Sequence, residues 1–266
     1  AAQWRSHDAV AEGEKTRQAL NDAASMLLAE LRTLSPAAGD LVSATDTAIE
    51  VRSTLGASVT CSVTVARDRI VIPPRQPSKG VPLTWWRDAP VVGDSIELLN
   101  SRGALPDTVS RHELLGIGGG TCPTSSGFAI TPGDAAGGIE LRVSPAVPVG
   151  VITGAPVRLL RGSRYSLYRS SADNSWYLGI KERMGGSWSV VQPVAGPFLP
   201  RAGTASGVAF AIRDSAGLSL TSQAALTGAR LIEIGLRAQG RRQALALGRA
   251  ASIAESLHVA LAPRNE

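Results

Sequence analysis

Lysine is nearly missing from this chain: it occurs only at Lys15, Lys79 and Lys181, so the formal charge of +5 over 266 residues is carried almost wholly by arginine. Such a balance, without aromatics interleaved among the basic residues, describes a solvated surface rather than a nucleic-acid groove. Cysteine occurs twice, at Cys61 and Cys122, and histidine three times, at His7, His112 and His258. Neither cysteine belongs to a Cys-x-x-Cys pair and no histidine stands at ligand spacing from either, which argues against a zinc site. Nothing in the sequence asks for a cofactor. No run of about 18 apolar residues is present, so the chain as given has no membrane span, and no charged segment followed by an apolar one marks a secretory signal.

What is abundant is apolar surface. A hydrophobic content of 44% suffices to bury the core of one large domain or two small ones, and excludes disorder as the default. Ala9, Leu20, Ala24, Leu27, Leu28, Leu31 and Leu34 recur at helical spacing, with Glu12, Lys15, Arg17, Asp22 and Arg32 on other positions, so residues 1–36 read as an amphipathic helix stopped by Ser35-Pro36. The chain begins inside that helix. One reading makes it a helix packed on a sheet, the other the distal half of a longer helix.

Strand signals follow. Ala48 to Arg52 alternates, Leu55-Gly56-Ala57 reads as a turn, and Val59 to Val65 completes a hairpin. Ile96-Glu97-Leu98-Leu99 and Leu114 to Ile117 are short strands, and Gly118-Gly119-Gly120-Thr121-Cys122-Pro123 reads as a turn. Trp85 and Trp86, adjacent on an extended segment, point to opposite faces, one buried and one at the surface. Further on, Val157 to Leu160, Tyr165 to Tyr168 and Trp176 to Ile180 form a meander with a polar turn at Ser170 to Ser175. The expected class is α+β, an N-terminal amphipathic helix packed on an antiparallel sheet. The helix occupies 1–36, the β head 37–266, and 73–148 is a β-rich insertion. The two cysteines pair in a disulfide worth about 3 to 4 kcal/mol if the protein is exported, and are buried thiols if it is cytosolic.

Three strings invite other functions. Val91-Val92-Gly93-Asp94-Ser95-Ile96 resembles the nucleophile block of the Gly-Asp-Ser-Leu esterases. The Gly-x-Asn-Asp oxyanion block is absent, and Glu255-Ser256-Leu257-His258 departs from the Asp-x-x-His that would supply the base, so the serine lacks its activating partners. Gly116-Ile117-Gly118-Gly119-Gly120 lacks the Lys-Ser or Lys-Thr pair of a phosphate loop and the third glycine of a dinucleotide fingerprint. Arg230, Arg237, Arg241, Arg242 and Arg249 offer anionic contacts and, with an exposed Trp85 or Trp86, would suit an adhesive or DNA-capturing tip protein.

The order of several blocks resembles the minor pilins and pseudopilins. Leu27 to Arg32 followed by Asp46 to Arg52 is similar to the start of their globular part. Val157 to Ile180, Gln192 to Phe198, Val208 to Gly217, Arg230 to Arg237 and Ser256 to Asn265 are similar to later blocks, although Ala262-Pro263 interrupts the last. The match resembles in particular the W-type minor pilin of type IV pili and the J-type minor pseudopilin of type II secretion. It leaves Pro73 to Pro148 unexplained, and the hallmark Gly-Phe-Thr-Leu-Ile-Glu segment is absent. The resemblance implies a non-enzymatic subunit that primes or caps a filament. It would be anchored in the bacterial inner membrane by a helical half lying before Ala1, with its head in the periplasm or at the tip of a surface filament. Its partners would be other minor pilins or pseudopilins. Leu20, Leu27, Leu31 and Leu34 would serve packing, and Cys61–Cys122 would hold the insertion.

Overall fold

A computed structural model describes the backbone of residues 2–246 and 249–264, and the side chains of residues 11, 13–203, 205–238 and 254–264. The chain opens with α1 (Ala2–Leu31), followed by β1 (Leu41–Ala44), β2 (Ala48–Val59), β3 (Ser62–Val63) and β4 (Arg69–Ile72). Next come β5 (Trp85–Trp86), β6 (Ser95–Arg102), β7 (Leu105–Gly120), the short α2 (Pro132–Ala136), β8 (Gly138–Ser144), β9 (Pro156–Arg169) and β10 (Trp176–Met184). The chain continues with β11 (Ser187–Trp188), β12 (Gln192–Phe198), β13 (Val208–Arg213), β14 (Leu231–Ala246) and β15 (Arg249–Leu261).

The expected α+β class is corrected. Strand takes 46% of the chain and helix 15%, the sheet is mostly antiparallel, and α1 is the single long helix, so the protein is strand-dominated and not a pilin-like α+β fold. Much of the difference comes from strands running through positions that read locally as turns or gaps. Leu55-Gly56-Ala57 lies inside β2, where Gly56 pairs with Trp86. A Cβ on Gly56 would fall 2.2 Å from the Trp85 carbonyl oxygen, so this glycine serves close strand approach, not a turn. Gly118 to Gly120 likewise belongs to β7, and Val157 to Tyr168 is one strand, β9.

The chain divides into two compact units. The first is Ala1–Ser53, Ser163–Lys181 and Val190–Glu266; the second is Thr54–Gly162 and Glu182–Ser189. The segment 73–148 lies inside the second unit, whose bounds are wider.

In the first unit β14 pairs with β13 over Leu231 to Leu236, with β12 at Ala238 and with β15 over Ile232 to Ala246, and α1 packs on β12, β14 and β15. Thr16, Leu20, Ala23, Ala24, Leu27 and Leu31 are buried, while Glu14, Arg17, Gln18, Asn21, Asp22 and Ser25 are exposed. The pattern follows helical geometry, in which residues three and four apart share a face. Leu27, Leu31 and Leu34 are fully buried with Ile232, Ile234, Leu236 and Phe210. Truncating such a leucine to alanine removes about 2–5 kcal/mol. The helix ends at Leu31, short of the expected boundary at 36, and Asp40, itself buried, accepts a hydrogen bond from the Ser35 amide at 2.9 Å.

The second unit places β6 between β9 and β7, with β8, β4 and β3 continuing the sheet beyond β7. Ile96, Leu98, Leu114, Leu141, Val143, Val157 and Leu159 point to one face and bury a separate core with Leu55, Ile70 and Ile72.

Candidate functional site

Cys61 and Cys122 form a disulfide with Cα atoms 5.2 Å apart, set in a small cluster with Val71, Ala129 and Ala135. It ties the end of β2 to the segment that follows β7. Next to it, Asp134 in α2 holds the loop of residues 73–84. Its carboxylate accepts from the Ser78 amide at 2.6 Å, the Ser78 hydroxyl at 3.0 Å and the Thr131 hydroxyl at 2.7 Å. These donors, led by the Ser78 amide, pull the Asp134 pKa down to about 2. The disulfide and this clamp together fix an otherwise irregular stretch.

The charged residues of the second unit are joined in pairs that the sequence reading did not find. Arg161 forks onto Asp94, with Nε 3.0 Å from Oδ1 and Nη2 2.9 Å from Oδ2, and Nη2 also donates to the Ala89 carbonyl at 3.0 Å. The two side chains are 3% and 1% exposed, which makes this a fully desolvated pair. On the neighbouring register, buried Glu97 accepts from Arg111 on one oxygen and from Arg158 on the other at 3.2 Å. Arg158 also donates to Thr54 Oγ1. Glu97 lies directly across from Arg111 on β7 and Arg158 on β9, so strand register alone delivers both cations. A sequence signal existed: Ile96-Glu97-Leu98 and Val157-Arg158-Leu159 each put a charge between apolar residues of a strand.

These pairs decide the chemistry available around Ser95. Asp94 is occupied by Arg161 and by the Val91 amide, which donates at 2.8 Å. Ser95 sits within β6, opposite Glu113 and Leu160, not on the sharp turn that presents a nucleophile. His112 is buried, with Nδ1 2.7 Å from the Pro145 carbonyl oxygen and Nε2 2.9 Å from Ser110 Oγ. Burial lowers its pKa, against a smaller opposing effect of the Pro145 carbonyl, so the ring is held neutral. In the first unit Glu255 is bound to Arg17 Nε at 2.9 Å, and His258 is on β15 across from Gly235.

Of the predicted basic residues of the first unit, Arg230 and Arg237 are described, and they are dispersed. Arg230 and Arg237 are seven positions apart, about 23 Å along an extended strand. Arg237 donates to the Ser206 carbonyl at 3.2 Å and Arg230 to the Ala229 carbonyl at 3.3 Å. Arg213, nearby on β13, is paired with Glu233 at 2.7 Å. The side chains of Arg241, Arg242 and Arg249 lie outside the described residues. Arg230 and Arg237 are therefore not brought together. Leu20, Leu27, Leu31 and Leu34 are all occupied inside the chain's own core. Trp85 is exposed, and Trp86 is half-buried with the Arg75 guanidinium 5.4 Å from its ring centre.

Among the described residues no group of three His, Cys, Asp or Glu side chains could hold a metal ion, and no helix is long and apolar enough to cross a membrane. No protein-family model, no curated protein and no solved structure matches the chain.

Proposed function

We propose that this chain is a non-enzymatic minor pilin or pseudopilin, a subunit that primes or caps a type IV pilus or a type II secretion pseudopilus. It would work with other minor subunits at the bacterial inner membrane and periplasm or at a filament tip. The observation that carries this reading is the asymmetry of α1. At about 1.5 Å per residue the helix is roughly 45 Å long, and over its described residues 13–31 it buries one face on the first unit, through Thr16, Ala19, Leu20, Ala23, Ala24, Leu27 and Leu31. Gln18, Asn21, Asp22 and Ser25 face outward on the described part. A helix fixed to its own sheet by one stripe leaves its other faces for neighbouring subunits. The ordered series of blocks from Leu27-Leu28-Ala29-Glu30 to Arg230-Leu231-Ile232-Glu233 supports the same assignment. The Cys61–Cys122 disulfide suits an oxidising compartment such as the periplasm.

The test is site-specific photo-cross-linking in cells that build the filament, with the reactive group at Asp22 or Ser25. Capture of another minor subunit, together with the chain's presence in the sheared filament fraction, is the expected result. A chain that cross-links to no filament component and never appears in that fraction is not a filament subunit.

A further inference from the structure

The strand β7 outlasts its neighbour. Its pairing with β6 ends at Glu113, opposite Ser95, and Leu114 makes the last contacts on that side, donating to the Asp94 carbonyl and accepting from the Gly93 amide. From Gly116 to Gly120 the strand is paired with β8 alone. The alternation of the ladder says which backbone groups face outward. Val143 of β8, opposite Leu114, sends its amide away from β7 to the Asp68 carbonyl, and Leu141 pairs on the β4 side with Ile70. Arg142, Glu140 and Gly138 therefore bond toward β7, onto Gly116, Gly118 and Gly120. Ile117 and Gly119 point their N–H and C=O groups outward, and no backbone partner is present there among the described residues.

The glycines of this edge are not needed by the fold that contains them. A Cβ on Gly118 or Gly119 would meet nothing within 4 Å, and neither residue has a positive φ. Each costs about 0.5–1 kcal/mol of chain entropy relative to alanine. A bulge between Leu114 and Gly116, where Arg142 Nη2 donates to the Leu115 carbonyl at 3.2 Å, marks the start of this edge, and from Ile117 to Gly120 no lysine, proline or inward charge protects it.

We propose that this edge pairs with the same edge of a second copy of the chain, antiparallel about a two-fold axis at Gly118. That register sets Ile117 of each copy against Gly119 of the other. Both residues have outward backbone groups, so each such pair exchanges both of its hydrogen bonds. Gly118 meets Gly118 at the intervening close, non-hydrogen-bonded position, where Cα atoms approach to about 4.5 Å. Side chains match as well: the half-exposed Ile117 covers a bare glycine, Gly116 faces Gly120, and Leu115 faces Thr121, with no like charges opposed. The contact is isologous, so it closes at the dimer. A short strand pair buries less than the roughly 1,200 Å² of a stable complex, so the association is weak and depends on concentration.

Sedimentation velocity of the full chain over a range from about 10 to 500 µM reads this directly. The expected result is a shift from monomer toward dimer as concentration rises. Gly119→Pro removes an outward N–H without touching the β8 ladder, and should abolish the shift. Ile117→Lys, which leaves the backbone unchanged, should weaken it at least ten-fold. Far-UV circular dichroism verifies the fold of each variant, and Ile117→Lys decides the matter if Gly119→Pro misfolds. A wild-type chain that stays monomeric throughout, or a folded variant that dimerises as the wild type does, overturns the proposal. Neither outcome bears on the filament assignment, whose cross-links are placed on α1.

Discussion

Replacing Asp94 by leucine should be among the most damaging single changes in the second unit. Arg161 is 3% exposed and its guanidinium loses both carboxylate bonds, at 3.0 and 2.9 Å, keeping the Ala89 carbonyl as acceptor and only the weaker attraction of Glu182 and Asp88 for its charge. An unpaired charge left in such a site costs about 3–5 kcal/mol. The part-buried Val91 amide loses its acceptor as well, adding up to about 1 kcal/mol. Urea unfolding followed by tryptophan fluorescence reads the effect, since Trp85, Trp86 and Trp188 all belong to this unit. With a slope of about 2–3 kcal/mol/M, the midpoint should fall by roughly 1–3 M. The companion variant Asp94→Leu/Arg161→Met removes both charges at once. It should be much more stable than the sum of the single losses, because the pair repays a desolvation cost that the apolar pair never incurs. An Asp94→Leu loss below about 1 kcal/mol, or a double variant as unstable as the two singles added together, would show that Arg161 is not held in a dry site.

Opening the Cys61–Cys122 bond as Cys61→Ala/Cys122→Ala releases a loop with a sequence separation of 61, for which chain entropy gives a loss of about 4 kcal/mol. Urea midpoints of the variant and the oxidised wild type check it. His112 gives the second unit a pH dependence of defined sign. Its folded pKa lies below the ordinary 6.5, so above that pH both states are neutral and no contribution exists. As pH falls below 6.5 the unfolded chain binds a proton that the buried ring refuses, and stability declines until the folded pKa is reached. His112→Gln should therefore show a shallower loss of stability between about pH 7.5 and 5.5 than the wild type; equal slopes would contradict a neutral, buried His112.

The sequence by itself determined the local devices. The 3.6-residue recurrence of Leu20, Ala24, Leu27 and Leu31 specifies a helix and its buried stripe, since side chains at that spacing share a face in any helix. The end of the helix was less well marked: Ser35-Pro36 disfavours helix only at Ser35, whereas the last helical residue is Leu31. The polar stretch Ser170 to Ser175 turns the chain between two apolar strands, with Asn174 at a positive φ, a conformation that asparagine tolerates.

Only the tertiary structure decided the rest. Gly56 reads as a turn residue until the Trp85 carbonyl is seen to occupy the space of its missing Cβ. Gly118 and Gly119 read as a turn until β8 is found beside them, because glycine is permissive in both settings and only the partner strand selects one. The strand-dominated class followed in the same way: pairing with distant segments carried β2, β7 and β9 through positions where local propensity alone would break them. Arg161 and Asp94 are 67 positions apart, and Arg158 and Glu97 61, so their pairing lay beyond any sequence window. Strand register brought them together, and burial then made pairing obligatory.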